Sequence, residues 1–330
     1  MVHLTGVAKY FGDKRALGPV TFEVPKGQTV GVLGLNGVGK TTLLRILACA
    51  LRPSAGTVLI DGLDALADPH EVRKRVGYLP ERPPVYPDMT VRDYLSFAGR
   101  IRGLDADQTG RRIQEVEERT HLTEVDDEIV RNLSQGFRQR VGVAQAIIHD
   151  PALLILDEPT HDLDPVQIRE MREMIRDLKS SHTILVSSHI LAEISQTCDR
   201  VLILNAGEVI ASGTEEELSA RLLESSGLVV DVRPAAQGAD DDGTARASSA
   251  GAADRIAGII RALPDVVSAT QNGDTDDVRS LTFLVEARRD CRAEVCRALV
   301  EGGHDVLRLD RTQRELESMF VELVGRAPGR

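Results

Sequence analysis

The sequence predicts an α/β fold with a largely parallel sheet, a helical subdomain inserted into it, and a small α+β domain at its C-terminal end. Three observations carry this. Short β-rich runs alternate with helical stretches through the first part of the chain. A charged, helix-periodic block interrupts them between about residues 88 and 140. After residue 225 the order changes to strand, helix, strand, strand, helix, strand.

Taken in order, Thr21–Val24 and Val30–Leu33 read as strands, and a glycine-rich turn then leads into a helix over Thr41–Leu51. Thr57–Ile60 and Val76–Leu79 read as further strands. In the inserted block, Val91, Tyr94, Leu95, Ala98 and Ile101 recur at helical spacing. Strands resume at Leu153–Leu156, Thr183–Ser187 and Val201–Leu204, and Thr214 with Glu217 has the spacing of a capping box opening a helix to about Leu223. The C-terminal pattern is strand Leu228–Val232, helix Ala253–Leu263, strands Val266–Gln271 and Arg279–Val285, helix Asp290–Glu301 and strand Asp305–Leu309. A last helix over Thr312–Val324 carries the apolar stripe Leu316, Met319, Phe320 and Leu323. Residues 234–253, rich in Ala, Gly, Asp and Ser, read as a mobile segment. The expected domains are therefore 1–225 and 226–330, the second a split-βαβ-like accessory domain.

Composition sets limits on function. With 330 residues and 42% hydrophobic side chains, the chain can bury a sizeable core. A net charge of -11 argues against a dedicated nucleic-acid binder, so no nucleic-acid partner is expected. No apolar run approaches the roughly 20 residues that cross a bilayer as a helix. The start Met1-Val2-His3-Leu4 lacks a signal-peptide pattern, which predicts a cytoplasmic protein. Cys49, Cys198, Cys291 and Cys296 are scattered and read as reduced thiols.

Gly34-Leu35-Asn36-Gly37-Val38-Gly39-Lys40-Thr41 fits G-x-x-x-x-G-K-[ST] between a strand and a helix. Glycines let backbone N–H groups of Gly34, Asn36, Gly37 and Gly39 wrap a polyphosphate, and the helix N-terminus, with Thr42 in its first turn, adds positive potential. Lys40 supplies a point charge for β- and γ-phosphates, and the Thr41 hydroxyl can ligate Mg²⁺. Further on, Leu153-Leu154-Ile155-Leu156-Asp157-Glu158 is an apolar strand ending in two carboxylates, at the carboxyl end of the strand, where ligands sit in open α/β sheets. Asp157 is placed to hold the Mg²⁺ shell and Glu158 to orient or deprotonate an attacking water. The implied ligands are ATP and Mg²⁺.

Leu133-Ser134-Gln135-Gly136-Phe137, followed by Arg138-Gln139-Arg140, resembles the signature segment of ABC ATPases, usually Leu-Ser-Gly-Gly-Gln. It departs at Gln135 and Phe137 and keeps Ser134 and Gly136. The variant is most similar to bacterial exporter ATPases of the drug, polysaccharide and gliding-motility kind, over about Val2–Leu223. The resemblance implies that Ser134 and Gly136 approach the γ-phosphate held by a second ATPase subunit, identical or not, so that two chains sandwich two nucleotides. It implies adenine stacking on Phe11, with Tyr10 the competing aromatic, and contact of His189 with the γ-phosphate. Asp164 matches the aspartate loop between the two sites, although His161-Asp162 precedes it where Ser-Ala or Ser-Gly is commoner. Gly77-Tyr78-Leu79-Pro80-Glu81 matches a loop that normally ends in glutamine near Mg²⁺, so Glu81 is either a metal ligand or a partner contact.

The resemblance further implies a polytopic membrane permease docked on the helical subdomain near Pro83-Pro84-Val85-Tyr86-Pro87, which would hold the chain on the inner face of the membrane. The expected function is therefore the ATP-hydrolysing subunit of an ABC exporter. A soluble ABC ATPase acting on nucleic acid or ribosomes and an importer ATPase are the alternatives.

Overall fold

The computed structural model describes residues 1–222, 226–234, 245–272 and 280–311. A long hairpin opens the chain. β1 (Val2–Phe11) and β2 (Lys14–Val24) pair antiparallel, β4 (Ala55–Ile60) lies on the other side of β1, and β5 (Leu63–Asp64) adds to β4. This antiparallel sheet lies outside the sequence reading, which found only the ends of β2 and β4. Register shifts between Thr5 and Ala8, with Gly6 at φ 60°, break the alternation that would have marked β1.

The second sheet has the order β10-β9-β3-β8-β7-β6. Its strands are β3 (Thr29–Leu33), β6 (Val76–Leu79), β7 (Leu153–Asp157), β8 (Thr183–Ser188), β9 (Arg200–Asn205) and β10 (Glu208–Gly213). All neighbours are parallel except β10 on β9. β3, β7 and β8 are buried at every position, which is why they read as unbroken apolar runs. α1 (Lys40–Leu47) follows β3, and Leu43, Leu44, Ile46 and Leu47 pack into a core shared with both sheets. α2 (Pro69–Arg75), α6 (Pro165–Leu178) and α7 (Leu191–Thr197) complete the α/β part.

The helical subdomain is α3 (Val91–Ile101), α4 (Ala106–Thr120) and α5 (Gln135–Ile147). Each start is capped: Thr90 Oγ1 accepts from Asp93 N at 3.1 Å, Asp105 and Gln108 form a capping box, and Ser134 caps α5. Val91, Tyr94, Leu95 and Ala98 are buried as their spacing predicts, but Ile101 is 67% exposed, just before the chain turns at Gly103 (φ 89°). The expected boundary at residue 140 falls inside α5. That helix runs on to Ile147, burying Val141, Val143, Ala144, Ala146 and Ile147.

Just beyond α5, His149 Nε2 donates to Val76 O across 3.1 Å, while its buried Nδ1 has no partner. Burial, helped by Arg102, pushes its imidazole down to about 4. The unfolded ring, near 6.5, therefore takes up a proton that the folded ring refuses. Stability is full above 6.5 and is lost as pH falls toward 4. Between pH 7 and pH 5 the wild type is expected to lose about 2 kcal/mol more than His149→Gln, read by urea unfolding; equal losses contradict this.

Two compact units divide between Glu215 and Glu216, at the start of α8 (Glu215–Leu222) rather than after it. In the second unit the order is β11 (Ser226–Arg233), α9 (Ala245–Arg261), β12 (Val266–Gln271), β13 (Leu281–Ala287), α10 (Arg292–Glu301) and β14 (Asp305–Arg311). The antiparallel sheet runs β12-β13-β11-β14, the split-βαβ arrangement. Alternate residues Leu228, Val230, Val232, Phe283 and Val285 bury against Ile256 and Ile260 of α9 and Val295 and Leu299 of α10. The expected mobile segment 234–253 is corrected here, because α9 already begins at Ala245 and buries Ala252 and Ala253. Residues 235–244 and the expected helix Thr312–Val324, with Leu316, Met319, Phe320 and Leu323, lie outside the described residues.

Candidate active site

The glycine-rich loop leaves β3 with no room for a side chain at Gly34 or at Gly39. A Cβ on Gly34 would lie 2.6 Å from Leu204 O, and one on Gly39 would lie 2.7 Å from Ala16 O. Gly39 also has φ 110°, a region that side chains avoid, and it forms the N-cap of α1. Gly39→Ala is therefore expected to cost about 1–3 kcal/mol of stability and to weaken ATP binding. Thermal unfolding with and without ATP reads both, and an unchanged variant contradicts the geometry.

Lys40 is 5% exposed and folds back on the loop, donating to Gly34 O at 2.7 Å and Leu35 O at 3.2 Å. Its Nζ also stands 3.1 Å from Glu158 Oε1. This is a contact of charges rather than an aligned hydrogen bond, so that buried oxygen still has no donor.

β7 delivers Asp157 and Glu158 to the same edge. Asp157 Oδ1 accepts from Ser187 Oγ at 2.7 Å, and Ser187 Oγ accepts from Glu158 N at 2.9 Å, joining the ends of β7 and β8. Burial pushes the Asp157 carboxyl up, against the hydrogen bond from Ser187 and the nearby Thr41 hydroxyl, which favour its ionised form. Its Oδ2 is buried without a donor. An orphan carboxylate oxygen beside the Thr41 hydroxyl suits a hard cation such as Mg²⁺, which takes few protein ligands. Glu158 has φ 49°, an unusual backbone for a non-glycine residue and one found at functional sites. Its Oε2 lies 2.9 Å from His189 Nδ1. The carboxylate thus spans Lys40 on one oxygen and His189 on the other.

These groups face a cleft of about 550 Å³. Phe11, Asn36, Gly37, Gly39, Lys40 and Thr41 line it, with Thr42, Glu81, Glu158 and His189. Tyr10, the competing aromatic, does not. Asp157 lies beneath, fully buried, and Gly34 holds Lys40 from the loop. Lys14, Arg15 and His161 also line the cleft and escaped the sequence reading as site residues. Lys14 and Arg15 follow the Gly12-Asp13 turn directly, a pair of cations that could have signalled a polyphosphate. His161 Nε2 lies 3.7 Å from Glu81 Oε1 and 3.4 Å from Asp162 Oδ2.

Three expected residues lie outside the cleft. Ser134 caps α5, accepting from Phe137 N at 3.3 Å. Gly136 abuts α6, where a Cβ would fall 2.7 Å from Gln167 Cδ. Asp164 caps α6, accepting from Val166 N at 2.9 Å and Gln167 N at 3.0 Å. One chain therefore carries a phosphate cleft and, apart from it, a capped helix start bearing Ser134.

Comparison with known proteins places the fold and cleft in a family. Residues 17–161 match the ABC transporter family. The chain is 36% identical over 325 residues to the daunorubicin resistance ATP-binding protein DrrA3 of Streptomyces coeruleorubidus, covering 98% of this chain and 96% of that protein. It is 30% identical over 330 residues to the bacitracin transport ATP-binding protein BcrA of Bacillus licheniformis, covering 98% and 97%. A solved ATP binding subunit of an ABC transporter superposes with a TM-score of 0.62 at 30% identity, over 67% of this chain and 93% of that one. With its phosphate loop, paired carboxylates and relatives matched end to end, the chain belongs to the ATP-binding subunits of ABC transporters and is an ATPase.

Proposed function

We propose that this ATPase powers export through a separate polytopic membrane protein, working as one of two ATPase subunits that close on ATP between them. The observation that carries the proposal is the full-length relationship to DrrA3 and BcrA, which takes in the C-terminal unit as well as the ATPase core. Among the described residues no helix is long and apolar enough to cross a membrane, and in the proposed complex a separate membrane protein provides the path for cargo. That partner would hold the chain on the inner face of the membrane, against the helical subdomain near Tyr86. The split-βαβ unit is read as a dimer-stabilising or regulatory appendage.

The chemistry follows from the cleft. Lys40, which contacts the loop carbonyls and Glu158, supplies its ammonium to the β- and γ-phosphates of ATP. Phe11, half exposed at the mouth, stacks on adenine. Thr41 and Asp157 would hold Mg²⁺, with Glu81 a further carboxylate at the same cleft. The ion supplies neutralisation of charge on the phosphate oxygens. Glu158 orients the attacking water and accepts its proton as the γ-phosphorus–oxygen bond to ADP breaks, and His189 steadies that carboxylate while meeting the γ-phosphate. Ser134 and Gly136 of a second subunit supply a hydroxyl and backbone N–H groups to the same phosphate, and Asp164 fixes the turn beside them.

Gentle solubilisation of native membranes and capture of the tagged chain test this. A polytopic membrane protein at near-equal stoichiometry is expected. A wholly soluble pool carrying ribosomes or nucleic acid contradicts the export reading and leaves the ATPase intact.

A further inference from the structure

Glu158 and His189 sit on different strands, yet one buried carboxylate ties their supports together from behind. Glu193, at the start of α7, is 7% exposed. Its Oε2 accepts from Thr160 Oγ1 at 2.7 Å and from Ser188 Oγ at 2.8 Å. Ser188 Oγ in turn accepts from Ile190 N at 3.0 Å. Thr160 lies in the turn just after Glu158, and Ser188 and Ile190 are the two neighbours of His189. The chain Thr160–Glu193–Ser188–Ile190 therefore grips the exit of Glu158 and both flanks of His189, whose side chains meet at 2.9 Å.

The choice of an acid for this place needs a reason. Burying a carboxylate is costly unless it is well bonded, and a hydroxyl can be satisfied by any backbone carbonyl. A carboxylate oxygen can accept two donors at once, and bonds to an ionised acceptor are shorter and stiffer than neutral ones. Glu193 thus gives rigidity between two loops that would otherwise move independently. Arg172 lines the same small cavity as Glu193.

We propose that Glu193 is a positioning residue for ATP hydrolysis. By bonding Thr160 and Ser188 together it sets the separation of Glu158 and His189 at which the attacking water is held. This rests on the reading of Glu158 and His189 given above. Glu193 does not line the nucleotide cleft, so its loss acts on turnover and spares binding.

The test uses the full-length chain, with steady-state hydrolysis, equilibrium binding of ATP and thermal unfolding measured on each variant. Glu193→Ala is expected to lower kcat by about 10-fold to 100-fold, as a misplacement of about 1 Å at a reacting centre does. Its affinity for ATP should stay within about threefold of wild type, the split that marks an interaction made only during reaction. Glu193→Gln, whose amide oxygen accepts from both hydroxyls, should hold kcat within about threefold. Thr160→Val removes one bond and keeps the shape of the site, and its kcat should fall by about threefold to tenfold. A wild-type kcat in Glu193→Ala overturns the bracket. So does a joint fall of kcat, affinity and melting temperature that Glu193→Gln fails to restore. If Glu193→Ala does not fold, Thr160→Val decides, and an undiminished kcat there overturns it. Glu158→Gln measured alongside separates the two claims. Wild-type turnover in that variant overturns the reading of Glu158 and the bracket with it, whereas an inert Glu158→Gln beside a wild-type Glu193→Ala overturns the bracket alone.

Discussion

Glu158→Gln is expected to bind ATP with little loss and to hydrolyse it on the order of 10²- to 10⁴-fold more slowly, the usual contribution of a positioned general base. Glutamine fills the same volume, and its amide can still meet His189. It cannot take a proton from water. The charge contact of Glu158 with Lys40 is lost too, but the phosphates of ATP are themselves anionic partners for that ammonium. Binding and turnover should therefore separate cleanly: equilibrium titration with ATP reads the first and phosphate release the second. Wild-type turnover would remove Glu158 from its assigned role.

Lys40→Ala acts on the other side of the same pair. Lys40 is buried, and so is the carboxylate that it faces. Truncating one partner of a buried charge pair costs about 2–5 kcal/mol, much of it the penalty of the charge left behind. The larger effect is on the ligand, because the polyphosphate loses the one ammonium that the loop brings to it. ATP affinity is expected to fall by about 30-fold to several thousandfold, which is about 2–5 kcal/mol for the lost lysine–phosphate charge pair. Calorimetric titration reads it, and unchanged affinity would count against the phosphate-loop assignment. A buried anion left without its cation should also lower the melting temperature in the absence of ATP.

The sequence carried the site better than the frame around it. Gly34–Thr41 and Leu153–Glu158 are local motifs, each a strand running into a turn, so their chemistry is legible without knowing what packs against them. His161, Lys14 and Arg15 reach the same cleft from separate segments, and Glu193 meets Thr160 and Ser188 only because α7 folds back across the ends of β7 and β8. No spacing announces such meetings. Among the elements, β3, β7 and β8 were legible because both faces are buried. β1 was not, since bulges break its alternation. The boundary at residue 140 followed the charges of Arg138 and Arg140, although these occupy the start of a helix whose later turns are apolar. Ser248-Ser249-Ala250-Gly251 suggested a linker, yet the backbone there is helical, and the neighbouring Ala252 and Ala253 are small enough to pack closely in the accessory core. Alanine is also the strongest helix former, which a reading by polarity alone overlooks.

In the proposed two-subunit arrangement one chain holds only half of each hydrolytic site, with its cleft in one place and Ser134 and Gly136 in another. Light scattering on Glu158→Gln, with and without ATP and Mg²⁺, tests it most directly. A monomer is expected without nucleotide, a dimer with ATP, and loss of that dimer when Ser134→Arg is added. A monomer that holds ATP tightly and stays monomeric, or a dimer indifferent to Ser134→Arg, would contradict it.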